Sequence, residues 1–150
     1  MGIFDIFKKK PKFVDDLFGQ LNYTKFSDTT KNFYDGDVKF DSQKVGINID
    51  ADENGPTKSQ KEFYTKLQSE YSSIKVGVII PYLKKELEHW EEENQIIDFD
   101  KEFTIDGISL SRITDNSIEW SLTLYSSKIN HYVTIEFIDL NPQEGIIVDG

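Results

Sequence analysis

Apolar and polar residues alternate with a period of two through the first third of the chain. Leu21 and Tyr23 mark a first strand. Over Phe33–Phe40, Tyr34, Val38 and Phe40 alternate with Asp35, Asp37 and Lys39, and Val45, Ile47 and Ile49 share one face of Val45–Asp50. Between Ser59 and Trp90 the period changes. Phe63, Leu67, Tyr71, Ile74 and Val78 recur at steps of four and three, which places them on one face of an α-helix, and Leu83, Leu87 and Trp90 prolong the stripe. Alternation returns in Gly107–Ile113, Ile118–Ser126, His131–Ile138 and Ile146–Val148. Neither apolar surface can be buried without the other. The order therefore predicts an α+β domain: an antiparallel sheet of about six strands, βββ-α-βββ, with one long kinked helix packed on one face.

Local signals refine this outline. Thr57 with Gln60 and Ser59 with Glu62 both satisfy the spacing of a capping box at the helix start. Pro81 lacks a backbone donor and crowds the carbonyl of Gly77, which predicts a kink or break around Gly77–Ile80. In the first hairpin, matching Phe40 with Val45 and Val38 with Ile47 leaves Asp41–Lys44 as a four-residue turn. That register sets Gly36 opposite Ile49, Asp37 opposite Asn48 and Asp35 opposite Asp50. In the last hairpin, Ser126 opposite His131 leaves residues 127–130 as the loop. Thr123 then meets Thr134, and Tyr125 meets Tyr132, on the face turned away from the helix.

The 150 residues, 37% hydrophobic and 13% aromatic, suit one domain over 13–150 behind a basic, amphipathic tail at 1–12. Ile3, Phe4 and Phe7 with Lys8, Lys9, Lys10 and Lys12 resemble a membrane-surface anchor, although docking or fraying is the commoner fate of such a terminus. No apolar run is long enough to span a bilayer. With no cysteine there is no disulfide, thiolate metal site or cysteine nucleophile, which fits a cytoplasmic setting. The net charge of −10 and the sole arginine, Arg112, argue against nucleic acid; an acidic surface steers a basic protein partner or, as is commoner, simply keeps a protein soluble.

Few residues carry chemistry. Asp50-x-Asp52-x-Asn54-Gly55 reproduces the first half of a calcium loop, and Asp35 stands on a neighbouring strand as a further carboxylate. Lys61, however, occupies the place of the closing glutamate, and a strand-to-helix turn needs the same residues for its geometry. His89 with Glu86 and Glu93 has helical spacing without a second histidine nearby, so a solvated helix face is the expectation. Glu119 beside Trp120 and Glu136 beside Phe137 resemble a glycosidase pair, but the register puts both on the outer face, away from a closed pocket. No nucleophile elbow, P-loop or dinucleotide fingerprint occurs. No catalytic residue and no cofactor follow. The distinctive exterior is instead an acidic arm, with Glu88, Glu91, Glu92 and Glu93 around Trp90 as a hydrophobic anchor, together with the Tyr125–Tyr132 pair.

Taken together, Leu17-Phe18-Gly19-Gln20-Leu21-Asn22-Tyr23, Phe33-Tyr34-Asp35-Gly36-Asp37-Val38-Lys39-Phe40, the helix ending Leu83–Trp90 and His131-Tyr132-Val133-Thr134-Ile135 resemble a family of small bacterial domains of unknown function. The resemblance covers most of the chain after its tail and implies a fold but no catalytic residue. Pro81 departs from the continuous helix of that pattern. In size and acidity the chain is also similar to immunity proteins that neutralise bacterial toxins. The expectation is a non-enzymatic, cytoplasmic protein-binding domain, monomeric or homodimeric, facing a basic toxin or nuclease. The alternative is a cation-dependent module or hydrolase built on the Asp50–Gly55 loop.

Overall fold

Two antiparallel meanders meet along one parallel seam, and the helix that joins them lies across the sheet. The computed structural model describes residues 12–89 and 95–150. In the first meander are β1 (Lys12–Asp15), β2 (Gly19–Thr24), β3 (Phe33–Phe40) and β4 (Gln43–Asp50). The second contains β5 (Phe103–Leu110), β6 (Glu119–Ser126), β7 (His131–Ile138), β8 (Asn141–Pro142) and β9 (Ile147–Asp149). Strands follow chain order from β1 to β8, and β9 joins β8 along the free edge of β7. Every pair is antiparallel except β4 and β5, which run parallel from Gly46↔Gly107 to Ile49↔Leu110. The sheet among the described residues is thus mixed and nine-stranded, not antiparallel and six-stranded. The helix returns the chain across the sheet before β5 begins, and such a crossover makes the joined neighbours parallel.

α1 (Lys58–Ile74) starts at Thr57, whose side chain accepts from the Gln60 amide while Gln60 Oε1 accepts from the Thr57 amide at 2.9 Å. Of the two capping boxes, this one forms; Ser59 lies inside the first turn. Gln60 is fully buried and does more than cap. Its Nε2 donates to the carbonyls of Asp50 at 2.8 Å and Ser111 at 3.0 Å, fastening the helix start to the ends of both seam strands. After Ile74 the winding widens to a π turn over Lys75–Ile79, in which the Ile80 amide donates to the Lys75 carbonyl, and α2 (Ile80–Glu86) follows. The break expected at Gly77–Ile80 is this turn. Wider winding removes the conflict between the Pro81 ring and the carbonyl one regular turn earlier. It also adds one residue to the helical phase. Buried positions run Gln60, Tyr64, Leu67, Tyr71 and Ile74, then jump five residues to Ile79 before Leu83 and Leu87. Phe63 and Val78, expected on the stripe, are half-buried at its margin.

The core lies between this stripe and the inward residues of the sheet. Trp120 stacks on Phe137 with centroids 4.2 Å apart, Phe63 packs on Trp120 at 5.7 Å, and the indole Nε1 donates to the Asp139 carbonyl. Phe40 meets Tyr71 at 4.9 Å, and Phe18 meets Tyr64 at 4.9 Å. Burial pushes the Tyr64 phenol up to about 12, so it stays protonated.

The last hairpin has the expected register, Ser126↔His131 with Tyr125↔Tyr132. The first is offset by two residues. Phe40 pairs with Gln43, Val38 with Val45, Gly36 with Ile47, Asp35 with Asn48 and Asp37 with Gly46. Asp41 and Ser42, both at positive φ (47° and 62°), close a tight two-residue turn in place of four residues. Gly36 lies under Leu21: a Cβ there would come within 2.9 Å of Leu21 Cδ2 and of the Gln20 carbonyl. β5 begins four residues before its expected start, leaving Ile113 in the connection to β6.

Candidate functional site

Strand alternation leaves the second face of the sheet without a covering layer among the described residues. On β3 and β4 it shows Asp35, Asp37, Lys44 and Asn48; on β6 and β7 it shows Glu119, Ser121, Thr123, Tyr125, Tyr132, Thr134, Glu136 and Ile138. The two ends of this face differ. At the β3–β4 end Lys44 Nζ lies 3.4 Å from Asp37 Oδ2, and Asn22 Nδ2 donates to Asp35 at 3.3 Å. At the β6–β7 end, Glu119 and Glu136 make no ion pair among the described residues, and they stand beside Ser121, Gln143 and the exposed Ile138. Tyr125 and Tyr132 pack at 5.2 Å, the Tyr125 hydroxyl donates to Asn130, and Thr123 Oγ1 shares a hydrogen bond of 2.9 Å with Thr134 Oγ1. Tyr132 is 42% exposed, Ile138 38% and Ile147, opposite Thr134, 45%.

Glu119 and Glu136 also line one recess of about 280 Å³ with Ser109, Ser111, Ser121, Ile138 and Gln143, and Trp120 and Phe137 contribute to its wall. The register does put both carboxylates on the outer face, as expected, but it brings them to a common open hollow. Ser109, Ser121 and Ile138 were not singled out from the sequence. Their signal was present, because Ser121 pairs with both Ser109 and Glu136, and Ile138 pairs with Glu119.

Other candidates have structural roles. In the Asp50–Gly55 loop, Asp52 Oδ1 accepts from the Asn54 amide at 2.9 Å and the Gly55 amide donates to the Asp52 carbonyl. The same carbonyl accepts from the Tyr34 hydroxyl at 2.8 Å. Gly55 has φ +93°, and a Cβ on it would strike the Phe13 ring at 2.5 Å. The residues therefore make a turn. Asp35 and Asp50 belong to adjacent strands, but burial raises the Asp50 carboxyl above its ordinary value, offset in part by Arg112, and no group of three His, Asp or Glu converges among the described residues. Arg112 donates to the carbonyls of Thr29, Thr30 and Asn32, around the short 3₁₀ turn Thr29–Lys31. Glu88 is exposed with His89 Nε2 3.3 Å from its Oε1. Trp90, Glu91, Glu92 and Glu93 lie outside the described residues, as does the tail through Pro11. No helix among the described residues is long and apolar enough to cross a membrane.

Compared with protein-family models, with curated proteins and with solved structures, the chain finds no match.

Proposed function

We propose that the chain is a non-enzymatic, cytoplasmic binding module that holds a basic protein on the β6–β7 end of its uncovered sheet face, in the manner of an immunity protein. One observation carries this reading. Tyr125, Tyr132 and Ile138 share that surface with two carboxylates, Glu119 and Glu136, that make no ion pair among the described residues. Partly exposed aromatic rings supply contact area at small entropic cost, and unpaired acids attract lysine or arginine and repel acidic competitors. The net charge of −10 would speed the encounter from a distance. Glu88 and the acidic segment around Trp90 add to the same field. The resemblance to small bacterial domains brings no catalytic residue into conflict with this role.

The test is co-expression with the product of the neighbouring gene. A complex should co-purify and weaken as ionic strength rises. Tyr132→Ala and Glu136→Lys should each weaken it about tenfold or more while leaving the circular dichroism unchanged. A complex that both variants form as well as the wild type would place the interface elsewhere and end this assignment.

A further inference from the structure

On the helix side of the sheet, away from the partner face, a cleft of about 270 Å³ opens between the β3–β4 turn, the start of the π turn and the segment leading into β5. Its lining carries both donors and carboxylates. Gln43 Oε1 accepts from the Ile105 amide at 3.1 Å, which leaves the Gln43 NH₂ group as a donor. Tyr71 is 3% exposed, and its hydroxyl has no hydrogen-bond partner among the described residues. Burial, and after it the charges of Asp41 and Asp100, raise that phenol and keep it a neutral donor. Lys75 is 17% exposed along its side chain and lies 2.8 Å from Asp100 Oδ1. Gln43, Tyr71 and Lys75 are thus the donors of the lining, and the carboxylates of Asp41 and Asp100 stand in the more exposed positions. Phe103 and Leu124 supply apolar wall.

A simple anion would meet two carboxylates on entry, and a simple cation would meet Lys75. A small zwitterion with an apolar body satisfies both sets and fits the volume. The π turn at the cleft is a further pointer, because such departures from regular winding recur at binding sites. We propose that this cleft binds a free α-amino acid, its carboxylate toward Tyr71, Gln43 and Lys75 and its ammonium toward Asp41 and Asp100. The site is independent of the partner face, and either can fail alone.

Calorimetric titration of the full chain with each free proteinogenic amino acid tests the proposal. At least one should bind saturably, and its N-acetyl and amide derivatives should not. Tyr71→Phe should weaken binding about tenfold while leaving the melting temperature unchanged or higher, since it removes a buried hydroxyl without a partner among the described residues. Lys75→Met should weaken it as well. The proposal is overturned if no amino acid binds, if the N-acetyl derivative binds equally, or if both variants bind like the wild type.

Discussion

On β6, Trp120, Leu122, Leu124 and Ser126 are buried against the helix side, while Glu119, Ser121, Thr123 and Tyr125 between them face the other way and stay wholly or partly open. On the first face aromatic rings interlock and the buried amide of Gln60 has its hydrogen bonds satisfied, while the hydroxyls of Tyr64 and Tyr71 are buried without a partner among the described residues. On the second, acids and tyrosines stand without a covering layer among the described residues. Neighbouring residues on one strand thus divide the work: one set holds the fold, and the other is left available for contact. The division implies that each set can be altered with little effect on the other.

Trp120→Ala should give the largest loss. Removing the ring that stacks on Phe137 and packs against Phe63 leaves a core cavity and should cost about 3–5 kcal/mol in urea unfolding. A cost below about 1 kcal/mol would mean that the covered face is not the stabilising one. Gln60→Ala comes next. It strands the carbonyls of Asp50 and Ser111 and breaks the cap, at about 3 kcal/mol, and Gln60→Glu should not restore it, because a carboxylate cannot donate to them.

Glu102→Gln should cost about 2 kcal/mol at neutral pH. Burial by itself would raise this carboxyl. The Lys128 ammonium, 2.8 Å from Oε1, and the amides of Asp98 and Ile97 outweigh burial and hold it below its ordinary 4.5. A carboxyl depressed on folding stabilises the fold above its unfolded value and loses that contribution as pH falls through its folded value. The gap between wild type and variant should therefore be full at neutral pH and close as pH drops below about 4.5. A gap that persists at pH 2 would refute the ionic origin. Glu136→Lys should have the smallest effect, within about 0.5 kcal/mol by thermal melting, because the carboxylate is exposed and has no ion pair among the described residues. A loss of several kcal/mol there would erase the contrast between the faces.

The hairpins show how much was legible in the sequence. In β6–β7, runs of equal length and a cross-strand match of Thr with Thr and Tyr with Tyr left one sensible register, and the strands adopt it. In β3–β4 the period of two decided which residues face inward but not how far one strand slides along the other. Sliding by two keeps every side chain on its face. The deciding turn, Asp41-Ser42, lacks the glycine that usually advertises two positive φ angles, so it went unread. Strand direction at the seam could have been inferred, since a helix as long as α1 between two strands is the usual means of making neighbours parallel. The recess beside Glu119 and Glu136 could not. It depends on how Ser111 and Gln143, from two connections, come together at the edge of the face.

The π turn leaves the rod joining the two meanders one residue longer than regular winding needs. Deleting a single residue within Val76–Val78 would bring Ile79 into ordinary step with Ile74 and leave the inward positions on either side undisturbed. A deletion one turn earlier would instead rotate the whole first half of α1 by roughly 100°. The chain therefore has one stretch where its length can change by a residue without turning the inward positions, at the cost of bringing the Pro81 ring back against a carbonyl one regular turn earlier, and it lies beside the cleft that holds Tyr71 and Lys75.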